Sequence, residues 1–185
     1  APFAVCNGRT FRDKMNVELK SISDVATIYY RLSGADSSEK MYTTPVEINS
    51  SCTLSYVARQ ADGQSSAVIT TSFLKIPDNR FIELKANYDP QYTAGGNEAL
   101  IDQVRGEVDW RKGNWQGYAG DTLEAIVDLG KTQNITQVGL GCLQDIGPWI
   151  FYPSEIIFAV SNDKSNYTTI ATIRPGAARE AAPVE

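Results

Sequence analysis

The sequence predicts an all-β protein made of two antiparallel β-sandwiches. Three observations carry this expectation. Apolar and polar residues alternate with a period of two in several short runs, the pattern of a half-buried strand. Clusters of Gly, Asn, Asp, Ser and Pro stand between those runs and supply turn chemistry. Only "GNEALIDQVRG" invites a short helix, with Asn97 placed to cap its first turn and Gly106 to stop it.

Along the chain, Val17 and Leu19 alternate with Asn16, Glu18 and Lys20. Ile28, Tyr30 and Leu32 alternate with Thr27, Tyr29 and Arg31, and Leu54, Tyr56 and Ala58 share a face. "SAVITTSFLKI" is a further strand-like run that stops at a Pro-Asp-Asn turn, and a domain boundary is expected there, giving domains 1–77 and 78–185. After it, the run ending in Asp-Leu-Gly, the segment "ITQVGLGCLQ" and the segment "SEIIFAVSND" read as strands. In the second of these, Val138, Leu140 and Cys142 face one way; in the third, Ile156, Phe158 and Val160 do. The turns expected between strands are "SGADSSEK", "EINSS", "QADGQSS" and "SNDKSN", and "RPGAAREAAPVE" reads as a loop or frayed tail.

Composition narrows the chemistry. The chain has 185 residues, 42% of them hydrophobic, which suffices for packed cores. Its net charge is -5 with no basic run, unlike a phosphate-tracking nucleic-acid binder. No stretch approaches the roughly 20 apolar residues of a membrane span, and the first residues lack the features of a signal peptide. There is no histidine, so Ser-His-Asp and Cys-His catalysis is excluded within this chain. Cys6, Cys52 and Cys142 form no C-x-x-C motif; a Cys6–Cys52 disulfide is open but disfavoured against ordinary thiols.

In the first half, "IYYRLSGADSSEKMYTTPVEINSSCTLSYVARQADGQSSAVITTSFLK" carries Tyr-Tyr, a polar turn, Tyr-x-x-Pro-Val-x-Ile, Thr-Leu, a Gly turn and a final strand. Over about residues 3–75 this resembles the small fibronectin-III-like, immunoglobulin-like sandwich near the C-terminus of bacterial chitobiases and β-N-acetylhexosaminidases. The family's turn reads Leu-Asp-Gly-Ser-x-Pro-Thr, and "LSGADSSEK" departs from it by losing the proline.

In the second half the matching segments are Glu98–Trp110, Trp115–Leu140 and Pro153–Ile173, with "Asp-Leu-Gly-Lys…Ile-x-x-Val" followed by "Val-Ser-Asn-Asp…Tyr". They resemble a discoidin (F5/8 type C) domain of carbohydrate-binding module family 32, a galactose-binding-like jelly roll. Such domains continue beyond the point reached here, so the resemblance implies a second sandwich that is incomplete at its C-terminal end. The tandem order resembles the accessory region of a β-hexosaminidase-like glycoside hydrolase.

Candidate site residues follow. Trp115 and Tyr118 lie among Gly113, Gly117 and Gly120, and aromatic rings on such loops suit the apolar face of a sugar. Asn114, Gln116 and Asp121 are candidate polar partners. Trp149, after Gly-Pro and near Asp145, is a second aromatic candidate. For both tryptophans, local packing is an equally open reading, whereas the resemblance puts Trp110 in the core. It also implies a structural calcium at Asp102; the family's later Thr ligand has no counterpart, and Glu107 lies near its place. No cofactor is required.

The parent enzymes use an adjacent Asp-Glu pair, and no Asp-Glu dipeptide occurs in this chain. The expectation is therefore a non-catalytic accessory fragment that binds galactose- or N-acetylhexosamine-type glycans beside a catalytic domain, in the bacterial periplasm or at the cell surface. A scaffold that only braces the catalytic domain and a protein-binding adhesion module are the alternatives.

Overall fold

The computed structural model describes residues 1–23, 25–34, 37–176 and the backbone of 182–184. The fold is all-β, with one turn of 3-10 helix at Trp110–Lys112. The chain divides into two compact units, Ala1–Asp78 and Asn79–Glu185. No helix among the described residues is long and apolar enough to cross a membrane.

Unit 1 contains strands β1 (Pro2–Val5), β2 (Thr10–Phe11), β3 (Met15–Ser21), β4 (Thr27–Leu32), β5 (Lys40–Met41), β6 (Val46–Ile48), β7 (Cys52–Arg59) and β8 (Ile69–Lys75). They form a three-stranded sheet, β1-β3-β6, and a five-stranded sheet, β2-β8-β7-β4-β5. All pairings are antiparallel except β2 with β8, which run parallel. The period-two pattern is the cause of the layering: Val17 and Leu19 of β3 and Val46 and Ile48 of β6 turn inward. Ile28, Leu54, Tyr56 and Phe73 meet them from the larger sheet, and all eight join one buried cluster. The turn at 60–64 closes with Gln60 donating its N–H to Gln64 O and Gly63 at φ +88°. The turn "SGADSSEK" includes Ala35 and Asp36, which lie outside the described residues.

Unit 2 contains β9 (Phe81–Leu84), β10 (Ala125–Asp128), β11 (Cys142–Gln144), β12 (Ile156–Val160), β13 (Thr168–Ile173) and β14 (Ala182–Val184). They pair as three separate antiparallel ladders: β9 with β10, β11 with β14, and β12 with β13. Its apolar interior is thin: among the described residues only Ala86, Ile101 and Leu143 are buried hydrophobics.

Three expectations need correction. The "GNEALIDQVRG" helix does not form. The segment is a series of tight turns, with Ala99 and Ile101 donating N–H to the carbonyls three residues back, at Gly96 and Glu98. The left-handed φ of +69° at Gln103 and the capture of the Val104 N–H by the Asp102 carboxylate break any helical ladder. In "ITQVGLGCLQ", residues 135–141 are irregular and the strand is only Cys142–Gln144. Gly139 and Gly141 contribute no side chain to pack, and open space surrounds where a Cβ would sit. The C-terminal stretch is not all loop: Ala182–Val184 pairs with Cys142–Gln144, whereas residues 177–181 and 185 lie outside the described residues. All three thiols are free.

The Asp-Leu-Gly and Ser-Asn-Asp segments are tied together. Asp128 accepts the N–H of Gly130 on one oxygen and the ammonium of Lys164, at 2.6 Å, on the other. Gly130 has φ +76°, and a Cβ there would stand 3.0 Å from the carbonyl oxygen of Asn79. Asp163 organises the β12–β13 turn by accepting from the backbone of Ser165 and Asn166 and from the side chains of Ser161 and Asn166.

Candidate functional site

Trp115, Gln116 and Tyr118 are brought together with the loop 88–97. Thr93 and Gln116 form an isolated bridge, Gly117 donates its N–H to Tyr92 O, and Asp89 donates to Gly117 O. The Gln116 amide donates to Gly96 O at 2.7 Å, and its carbonyl oxygen accepts the Tyr118 hydroxyl at 3.0 Å. Burial raises the Tyr118 pKa, with the nearby Tyr88 adding to it. The glycines have a steric role as well: a Cβ on Gly117 would lie 3.0 Å from Tyr92 Cβ. Asn114 is half-buried beside this network, and Asp121 caps its own turn by accepting from Thr122 N–H.

Trp115 is half-buried. It donates its indole N–H to Glu107 O at 2.6 Å, and its ring lies over Gly106, where a Cβ would fall 2.1 Å from the ring. Trp110 is half-buried too, edge-on to Tyr92 with centroids 5.8 Å apart and covered by the Arg111 guanidinium at 4.4 Å. Its buried indole nitrogen has no hydrogen-bond partner.

Asp102 is a buried carboxylate, 4% exposed, which accepts from the Val104 N–H at 2.8 Å. Desolvation raises its pKa, and the negative field of Glu98 adds to the effect. A hard oxygen held among backbone groups suits a calcium ligand. Glu107 does not fit as its companion: the carboxylate pairs with Lys112 and the carbonyl is taken by Trp115. The acidic neighbour that Asp102 senses is Glu98, which sequence spacing did not single out; it lies four residues earlier, within a stretch read as helix. Among the described residues no group of three or more His, Cys, Asp or Glu side chains converges for a metal.

Trp149 stands apart from this packing. Asp145 and Ile150 exchange both backbone hydrogen bonds across a four-residue loop, and Trp149 donates its N–H to Ile146 O inside it. Trp149 takes the left-handed position of that loop, φ +67°, which normally selects Gly or Asn. Its ring is 82% exposed and edge-on to the exposed Phe151, centroids 6.3 Å apart. The half-buried Asp145 carboxylate sits at the foot of the loop, 3.7 Å from where a Cβ on Gly147 would be. Trp115 packs against residues 106–107 and Trp149 against Phe151, so each of the two aromatic candidates has its own surroundings.

Residues 6–70, within unit 1, match the family model described as the chitobiase/beta-hexosaminidase C-terminal domain. No curated protein matches the chain significantly.

Proposed function

We propose that this chain is a non-catalytic accessory region of a hexosaminidase-like protein, and that its second unit is a discoidin-like module that binds a glycan through the Trp149 loop. The observation that carries the reading is Trp149 itself. A large apolar ring held in solvent gains nothing from burial, and a non-glycine residue in the left-handed region costs about 1–2 kcal/mol. An expensive conformation that displays a ring is explained by what the ring meets. A flat indole on a loop whose foot carries a carboxylate offers the chemistry that grips a pyranose: C–H groups on the ring face, hydroxyls on Asp145.

Trp115, Gln116 and Tyr118 then brace their own loop against residues 93–107. Attached to a catalytic domain, such a site raises the effective concentration of polymer near it. The contact area is small, so affinities of about 10 μM to 1 mM are expected. Periplasmic or cell-surface placement accompanies this reading, and Asp102 is the residue expected to hold a structural calcium.

The test is a glycan array of the whole chain beside Trp149→Ala. Galactose- or N-acetylhexosamine-terminated glycans should bind the first and not the second. Equal binding by both would remove Trp149 from the site. No binding by the folded chain would favour the second reading, a brace for a catalytic domain, which the exposed Ile157, Ile170 and Phe81 of unit 2 support.

A further inference from the structure

Unit 1 carries a groove that the reading above does not use. It lies on the five-stranded sheet, lined chiefly by β4 and β7, with a volume of about 190 Å³, room for one ring-sized group. Period-two alternation places its residues. Tyr29 and Arg31 leave β4 on the side opposite to Ile28 and Leu32, and Ser55, Val57 and Arg59 leave β7 opposite to Leu54 and Tyr56. Tyr29 is paired with Val57, and Arg31 with Ser55. The groove is thus lined by the half-buried Tyr29, the buried Val57 and the exposed Val68, next to a hydroxyl and a guanidinium.

Its polar groups are already positioned. The Arg59 guanidinium lies 4.7 Å from the Tyr29 centroid and forks onto both oxygens of Glu39, at 2.6 and 2.8 Å. These hydrogen bonds hold the Glu39 carboxyl below its usual range, and Arg31 adds a weaker pull. Arg31 is exposed and forms no ion pair with a described residue. Among the described residues lining the groove, two guanidinium groups therefore face one carboxylate, a local positive surplus on a chain of net charge -5.

We infer that this groove is a second saccharide site, selective for an acidic sugar whose carboxylate meets Arg31. The apolar face of the sugar lies along Tyr29 and Val68, and its hydroxyls reach Ser55 and the Arg59–Glu39 fork. Arg31 has no ion pair among the described residues, and a planar guanidinium is the group that binds a carboxylate through two parallel hydrogen bonds. The groove lies on a sheet face and not along an edge, so it does not offer the backbone ladder that captures an extended peptide.

The experiment is an amide NMR titration of the whole 15N-labelled chain with oligogalacturonate, a neutral galacto-oligosaccharide and a Glu-rich peptide. Oligogalacturonate should shift the amides of residues 29, 31, 55, 57 and 59 with an affinity of about 1 mM. Arg31→Gln, whose fold the same spectrum verifies, should weaken it at least about fivefold. Trp149→Ala should leave these shifts unchanged, so failure here is distinguishable from failure of the Trp149 site. Equal shifts from the neutral sugar, equal shifts from the peptide, no shifts, or no effect of Arg31→Gln would each overturn the inference.

Discussion

Trp115 and Glu107 are joined by an indole N–H···O=C hydrogen bond of 2.6 Å that closes the loop between them, with Gly106 beneath the ring. Trp115→Phe should destabilise unit 2 by about 1–2 kcal/mol through the lost bond and the unpaired carbonyl. Gly106→Ala should cost more, because the ring would have to leave its seat. All three tryptophans lie in unit 2, so a urea titration read by tryptophan fluorescence reports on that unit. Equal stability of Gly106→Ala and the wild-type chain would contradict the packing described.

Trp149 should behave in the opposite sense. Trp149→Gly relieves the left-handed strain and should stabilise unit 2 by about 1 kcal/mol, and should abolish the glycan binding proposed for this loop. A loss of stability in the same urea titration would mean that the ring packs more than its 82% exposure indicates.

These two tryptophans show what the sequence can and cannot convey. Both stand in glycine-containing loops and look alike as text. Gly106 is nine residues from Trp115, and only the folded loop makes it the floor for that ring. The left-handed turn at Trp149 has no local signature, since Pro-Trp does not ask for positive φ. By contrast, strands β3, β4, β7, β8 and β12 were legible because a half-buried sheet face imposes alternation on every residue. The helix expected near Asn97 failed because residue spacing does not reveal a carboxylate that competes for backbone N–H groups, as Asp102 does.

Asp102 has a raised pKa, so the native state binds its proton more tightly than the unfolded chain. Its charged form therefore lowers stability: unit 2 should be strengthened as the pH falls through the folded pKa, and weakened as it rises. Asp102→Asn keeps an oxygen for Val104 and removes the charge, and in calcium-free buffer it should raise the melting temperature. Added calcium should raise the melting temperature of the wild-type chain and not that of the variant. Identical responses of the two chains to calcium would remove Asp102 as a ligand.

Asp163 has the reverse linkage. Four hydrogen bonds to its carboxylate hold the pKa well below the usual range. Its contribution is fully present above the unfolded value of about 3.9 and is lost as the pH falls toward the folded one. Carboxyl-detected NMR should show Asp163 still ionised at pH 3. Asp163→Ala should loosen the 161–166 turn, seen as faster amide exchange at Ser165 and Asn166. An ordinary Asp titration would show that the turn is not organised by this side chain.

The parallel pairing of β2 with β8 gives unit 1 a mechanical character. Leu74 and Ile76 donate N–H to the carbonyls of Arg9 and Phe11, so strands from opposite ends of the unit lie side by side and point the same way. Tension drawn through the unit enters near residue 10, once β1 has yielded, and leaves near residue 75. The two strands are then pulled in opposite directions along their length, and their hydrogen bonds bear the load together, in shear, instead of opening one at a time like a zip. Unit 1 is wired as a link that resists stretching along the chain.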